Sequence, residues 1–469
     1  MELQDLKNKM VAVLGYGLEG RKTVDYLLKH GVSPTIFDQK KFSDWDSEQQ
    51  QAIKDLGINF IFGPDCYKEL AGFEVIFRSP GIPLSHPDLL GLAKKQEGKV
   101  IFTSQTIWFF DHSKAKIIGV TGTKGKGTTS TLIYEILKAS GEKIKAKSYL
   151  TGNIGKIQPF EILDELAPDD LVVYELSSFQ LQDLKRSPHI GVVLMTTSEH
   201  LDYHKDIKEY HQAKCPIVKF QTEEDIAIIN KDFPASVAIG SYGKGQKKYF
   251  STSAKVPDGC YVQDDKIILS WGGKKSITVL PTNKLLLRGK HNLQNVCAAV
   301  LAAWAAGCPL PVIKQVLQNF KGLKHRLELV SEKQGIKFYN DSFSTTPETA
   351  IAAINSFTEN EVLILGGSSK NSDFTELANT LAAANNVKAI IFIGPEGKKI
   401  KNLLNGRFSG QSLEGAQNME EIFTQIKKVA SSGDVVLLSP ACASFDMFKN
   451  YQDRGEQFIN QVSKWPAKQ

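Results

Sequence analysis

Twice within the first 140 residues, a short aliphatic run leads into a glycine-rich loop and then into a helical pattern. The first unit runs from residues 10–14 through Gly15-Tyr16-Gly17-Leu18-Glu19-Gly20 into a helix over 21–30. The second runs from residues 116–120 through the loop 121–129 into a helix ending at Ser140, with Leu132, Ile133, Ile136 and Leu137 on one face and Gly141 as its stop. A strand that feeds a helix through a tight glycine turn is the unit of an α/β fold with mainly parallel sheets. The alternation continues. Runs at 35–37 and 74–77 complete a first group that ends near Ser104, and runs at 171–176, 190–194 and 226–229 belong to a second. Between residues 240 and 287, short runs at 261–262, 266–269 and 277–280 are punctuated by Gly and Pro. They predict antiparallel strands appended to the second group. An alanine-rich helix over 292–306 precedes a third group with runs at 362–365, 389–393 and 435–438.

Composition narrows the class of protein. The chain has 469 residues, 42% hydrophobic and 23% charged, the balance of a globular protein with large cores. Its net charge of +6 suits anionic substrates and is too small to indicate nucleic acid. The longest apolar run, 296–306, falls short of the ~18 residues of a membrane span, and MELQDLKNK lacks the apolar stretch of a secretion signal. Six cysteines without a C-x-x-C pair argue against a zinc ribbon or a disulfide framework. These features predict a soluble cytoplasmic enzyme with no nucleic-acid or membrane partner.

The first glycine loop is a complete G-x-G-x-x-G with Asp38 eighteen residues past Gly20. It fits a diphosphate at a helix N-terminus with an acid on a ribose, so an NAD-dependent dehydrogenase and a nucleotide-sugar protein both remain open. So does a role in helix–strand packing alone. The second loop, Thr121-Gly122-Thr123-Lys124-Gly125-Lys126-Gly127-Thr128-Thr129, is a phosphate loop in outline. Backbone N–H groups cradle phosphates while Lys126 neutralises charge in transfer, which points to ATP. It departs from strict G-x-x-x-x-G-K-[ST] spacing, because Val120 stands where the first glycine would fall.

This loop resembles that of the Mur ligases and their folate-ligase relatives, and the resemblance extends along nearly the whole chain. It includes Thr151-Gly152-Asn153, Glu175-Leu176-Ser177-Ser178-Phe179-Gln180, Glu199-His200-Leu201-Asp202 and Tyr210-His211-Gln212-Ala213-Lys214. It continues through Gly289-Lys290-His291-Asn292, Lys324-His325-Arg326, Asn340-Asp341-Ser342, Gly366-Gly367 and the block from Ser439-Pro440-Ala441-Cys442 to Arg454-Gly455. The last block is similar to the branch that adds D-glutamate. The resemblance implies three α/β domains: a Rossmann-like UDP-sugar domain over 1–104, a central ATPase domain over 105–322 and a Rossmann-like amino-acid domain over 323–469. It also implies an ATP-dependent amide ligase, monomeric, joining D-glutamate to UDP-N-acetylmuramoyl-L-alanine through an acyl phosphate.

On this resemblance, ATP would meet Gly122, Thr123, Lys124, Gly125, Lys126, Gly127, Thr128, Asn292, Asn295, Arg326 and Asp341. UDP-sugar contacts would be Leu18, Glu19, Asp38, Ser79, Gly81, Asn153, Ser177 and Gln180. Thr345, Lys370, Ser444 and Tyr451 would receive the amino acid. Two Mg²⁺ sites would draw on Thr128, Glu175, His200 and Lys214, with Lys126, His200 and Lys214 as the catalytic set. Lys214 reads locally as a surface lysine; only the resemblance makes it a CO₂-derived carbamate. His200, His204 and His211 tempt a zinc reading that no cysteine or further acid supports, and His204 and His211 read as a solvated helix face. Two departures stand out. Gly127 replaces the usual Mg²⁺-ligating hydroxyl, which predicts that Thr128 takes over. Phe343 stands where the D-glutamate branch usually has lysine, leaving open a ligase for another amino acid or a non-catalytic nucleotide-binding relative.

Overall fold

A computed structural model describes residues 1–95, 99–154, 157–197, 203–369 and 372–466. The chain forms two compact units, Met1–Leu280 with Gln294–Lys314, and Pro281–Leu293 with Gln315–Gln469.

The first unit carries two sheets. One consists of β1 (Val11–Leu14), β2 (Thr35–Asp38), β3 (Phe60–Phe62), β4 (Val75–Arg78) and β5 (Ile101–Thr103), all parallel in the order β3-β2-β1-β4-β5. The other holds β6 (Lys116–Thr121), β7 (Ser148–Gly152), β8 (Leu171–Glu175), β9 (Ile190–Val193), β10 (Ile226–Asn230), β11 (Gln246–Ser251), β12 (Gly259–Gln263), β13 (Lys266–Ser270) and β14 (Ile277–Pro281), in the order β14-β13-β12-β11-β10-β9-β6-β8-β7. Buried residues fill β8 and β9 throughout and β6 from Ile117 onward, as parallel strands covered on both faces require.

Two expectations need correction here. The strands after residue 240 extend the central sheet, and only part of the extension is antiparallel. β11 lies parallel to β10 and β12, and the direction reverses between β12 and β13. β11 escaped the pattern because it contains Lys247-Lys248; Lys248 is buried against Asp258 at 2.6 Å and lies over the Trp271 ring. The helix after the phosphate loop does not stop at Gly141. It spans Lys126–Ile144 and ends at Lys145, whose left-handed backbone (φ +53) bonds back to the Gly141 carbonyl. Gly141 is therefore interior, at a cost of about 1 kcal/mol against alanine.

The two sheets share one apolar core, in which Tyr26 stacks on Phe160 and Phe77 meets Trp108. Arg78 is buried at the end of β4 and pairs with Asp183. The Tyr203 hydroxyl donates to the Pro80 carbonyl at 3.0 Å. The loop after β4 is thus fixed to the segments that follow β8 and β9.

The second unit contains β15 (Glu328–Lys333), β16 (Ile336–Asn340), β17 (Glu361–Gly366), β18 (Val387–Ile393), β19 (Gln411–Leu413) and β20 (Val435–Leu438), in the order β15-β16-β20-β17-β18-β19. All pairs are parallel except β15 with β16. Glu361 opens β17 fully buried; Asn386 Nδ2 donates to its Oε1 at 2.7 Å, and Oε2 lacks a partner. Burial pushes its carboxyl up to about 9. Above the ordinary carboxylate range the unfolded chain has lost this proton while the folded chain keeps it. Stability therefore falls as pH rises toward 9, by about 1.4 kcal/mol per pH unit. Glu361→Gln is expected to gain on the wild type in thermal midpoint from about pH 6 to about pH 8.5; a constant difference across that range contradicts the assignment. Among the described residues, no helix is long and apolar enough to cross a membrane.

Candidate active site

The phosphate loop joins β6 to the helix Lys126–Ile144, with Gly122 and Gly125 at φ +154 and +89. A side chain at Gly125 would collide with the Asn295 amide oxygen, so Asn295 holds the turn from beneath. The same oxygen accepts the Thr129 hydroxyl at 3.3 Å. Thr129 is fully buried and committed to that bond, while Thr128 is 9% exposed and is not. Of the two hydroxyls that follow Gly127, Thr128's is therefore the one not tied to Asn295. The helix N-terminus offers N–H groups to an anion. Lys126 folds over the loop, its ammonium donating to the Gly122 and Thr123 carbonyls at 3.0 and 3.1 Å. Lys124 is exposed beside it.

Lys214 corrects the local reading of a surface lysine. It ends the helix Ile207–Lys214, is 1% exposed, and its ammonium donates to the same Gly122 carbonyl at 3.4 Å. Beneath it lies the Tyr210 ring, 4.5 Å away, and the Tyr210 hydroxyl bonds that of Thr123 in the loop. Tyr210 had no place among the expected site residues, although it opens the quoted Tyr210–Lys214 segment; one helical turn puts both on one face. His204 is also corrected. It precedes that helix, is 1% exposed, and bonds the Ser178 hydroxyl at 2.9 Å rather than lying on a solvated face. His211 is only half-buried and bonds the Thr197 carbonyl.

Glu175 closes β8 between the phosphate-loop strand and β7, in register with Val120 and Gly152, and is 6% exposed. The Asn153 N–H donates to its carbonyl at 3.4 Å. Ser177 and Gln180 cap the short helix Ser178–Leu181 reciprocally, so both side chains already have a structural task. His200 and Lys370 lie outside the described residues. Among those described, no group of three or more His, Cys, Asp or Glu could hold a metal ion. The remaining donors, the Thr128 hydroxyl and the Glu175 carboxylate, are hard oxygens. They fit Mg²⁺ held mainly by phosphate and water better than zinc.

In the first loop, Gly15 adopts φ +82, and a side chain at Gly20 would strike the Gly15 carbonyl. Both Asp38 oxygens accept loop N–H groups, from Tyr16 at 2.7 Å and Lys40 at 2.8 Å. Asp38 therefore shapes the loop. Leu18 is 65% exposed at the helix start, and Gly81 is exposed while Ser79 bonds the Gly15 carbonyl. Burial pushes the Glu19 carboxyl up to about 7, against the opposing pull of Arg78.

In the second unit, Asn292 donates to the Arg288 carbonyl. Asp341 accepts the Ser439 hydroxyl at 2.8 Å and the Leu327 N–H at 3.1 Å, and burial pushes its carboxyl up to about 7. Arg326 lies over the Phe343 ring. Ser444 is buried, and Thr345 and Tyr451 are half-buried. Arg454, quoted in the sequence without a role, holds this region together. Fully buried, it donates to Ser342 Oγ and O and to the Cys442 and Ala443 carbonyls, all between 2.9 and 3.3 Å.

Fold and loop together define an α/β protein with a phosphate-binding loop. Comparison with known families agrees along the chain: residues 9–102 match the Mur ligase MurD-like N-terminal domain, 120–303 the Mur ligase middle domain and 325–442 the Mur ligase glutamate ligase domain. The chain belongs to the Mur ligase family. Among its relatives, the UDP-N-acetylmuramoylalanine--D-glutamate ligase of Acetivibrio thermocellus is 37% identical, covering 98% of each chain. The ligase of the same name from Symbiobacterium thermophilum is also 37% identical, over 96% of this chain and 97% of its own. The fold is shared with solved structures at low identity. MurF from Acinetobacter baumannii has TM-score 0.60 and 17% identity, over 99% of this chain and 93% of its own. UDP-N-acetylmuramate-alanine ligase MurC from Thermotoga maritima has TM-score 0.58 and 16% identity, over 98% and 100%.

Proposed function

We propose that this chain joins D-glutamate to UDP-N-acetylmuramoyl-L-alanine in the cytoplasm, cleaving ATP to ADP and phosphate, as a step of peptidoglycan precursor synthesis. Domains over 1–104, 105–322 and 323–469 would take the UDP-sugar, ATP and the amino acid. The observation that carries the reading is the convergence of Lys126 and Lys214 on the Gly122 carbonyl, next in sequence to the strand that pairs with Glu175. Amide formation must first bring a carboxylate against a triphosphate, and two anions meet only where a cation is fixed; Lys126 supplies that cation, while Lys214 beside it serves as the carbamate. The substrate carboxylate oxygen attacks the γ-phosphorus and ADP leaves. The glutamate amine then attacks the acyl carbon, loses a proton and expels phosphate.

Lys126 meets the transferred phosphoryl group and the loop N–H groups cradle it; Arg326 is read from the family resemblance as a further phosphate ligand, its guanidinium able to bind phosphate oxygens bidentately. Thr128 and Glu175 would hold Mg²⁺, with His200 as a further ligand and a second Mg²⁺ toward Lys214. Bound there, Mg²⁺ neutralises phosphate charge. The amine of Lys214 in its neutral form adds CO₂ and releases one proton, leaving a carbamate anion. Lys214→Ala is expected to lose roughly 10–100-fold in turnover. Depleting CO₂ lowers wild-type activity, and formate or acetate partly restores the variant. Full activity of Lys214→Ala without additives refutes the carbamate role.

A further inference from the structure

Arg326 sits between two residues in the left-handed region, His325 at φ +63 and Leu327 at φ +45. Such non-glycine conformations are strained and persist only where their surroundings hold them. Here the holding groups are specific. The His325 N–H donates to Glu328 Oε2 at 2.8 Å, and the Leu327 N–H donates to Asp341 Oδ1 at 3.1 Å. The His325 ring bonds Asn340 at 2.9 Å, and the His325 carbonyl accepts the Phe343 N–H at 3.0 Å. The turn holds Arg326 half-buried between these anchors, with Phe343 tied to it by backbone.

The Phe343 side chain completes the arrangement. The Arg326 guanidinium carbon lies 3.8 Å from the ring centroid, over its face. Tyr451 meets the ring from the side at 5.1 Å and 87°, which fixes its tilt. Phe343 remains 38% exposed, so burial of its own apolar surface does not account for it. A lysine here would set a second positive charge against the guanidinium.

We propose that Phe343 is a positioning residue. Its ring carries the guanidinium of Arg326 and orients the fork that grips the γ-phosphate. The inference rests on the reading of Arg326 as a phosphate ligand. In this chain, the missing lysine is exchanged for an aromatic support under an existing cation. A cation over an aromatic face is worth roughly two- to thirtyfold in an equilibrium or a rate.

The test is phosphate release by the full-length protein with ATP varied, UDP-N-acetylmuramoyl-L-alanine and D-glutamate saturating. Phe343→Leu is expected to lower kcat/KM for ATP roughly tenfold without changing the thermal midpoint, and Phe343→Tyr restores most of it. In an Arg326→Ala background, Phe343→Leu should cost almost nothing further, because the ring no longer has a cation to hold. Wild-type activity in Phe343→Leu, equal losses in the Leu and Tyr variants, or an undiminished loss in the Arg326→Ala background would each overturn the proposal. If Arg326→Ala itself leaves kcat/KM for ATP unchanged, the phosphate reading of Arg326 fails, and the proposal with it.

Discussion

Replacing Lys126 with alanine is expected to lower kcat for phosphate release by roughly 10²–10³-fold while the fold survives. The side chain is only half-buried, and it bonds two carbonyls of its own loop rather than a distant element. Its loss therefore removes little packing. It does remove the ammonium that folds over the loop onto the Gly122 and Thr123 carbonyls. Lys214 cannot replace it, because it reaches the Gly122 carbonyl from the buried side, over the ring of Tyr210. Steady-state kinetics together with circular dichroism check this. Retention of more than about a tenth of wild-type kcat would mean that the loop does not carry the phosphoryl chemistry.

Arg454→Met is expected to have the largest effect on stability. Every guanidinium nitrogen of Arg454 donates to Ser342, Cys442 or Ala443 in a fully buried setting. Burial lowers its pKa to about 10, still protonated at neutral pH. Methionine fills much of the volume but leaves three carbonyls and a hydroxyl short of their donor. Each unsatisfied buried group costs about 1–3 kcal/mol, so the four together cost at least about 4 kcal/mol. For a unit of this size, that lowers the thermal midpoint by roughly 10 °C or more. The loop from Ser439 to Ser444 should loosen with it, raising KM for the amino acid in whatever fraction stays folded. A midpoint within about 2 °C of wild type would contradict this role.

The residues that were legible in the sequence act through their nearest neighbours in the chain. Gly15 and Gly20 are required by one tight turn, and Lys126 by the loop it closes. Their chemistry is written within about six residues, where spacing is enough. Lys214 is the opposite case. Its helix carries Lys, Glu, His and Gln and reads as solvated, yet the phosphate loop some ninety residues earlier covers its ammonium. The same holds for Asn295, whose placement under Gly125 depends on a helix arriving from far along the chain. Short strands such as β3 and β5 were missed because three residues cannot establish a period. β15 and β16 were missed because their charged and polar residues break the aliphatic run. Phe343 was visible as a departure but not as a support, since its partner Arg326 is brought to it by a left-handed turn that no local signal marks.

The amino acid is the most direct point of test. The purified protein, with UDP-N-acetylmuramoyl-L-alanine and ATP, should be offered a panel of D- and L-amino acids while phosphate release is followed. D-Glutamate should support turnover well above every other member, with no release when either co-substrate is omitted. A clear preference for a neutral or basic amino acid, or release independent of the UDP-sugar, would contradict the assignment.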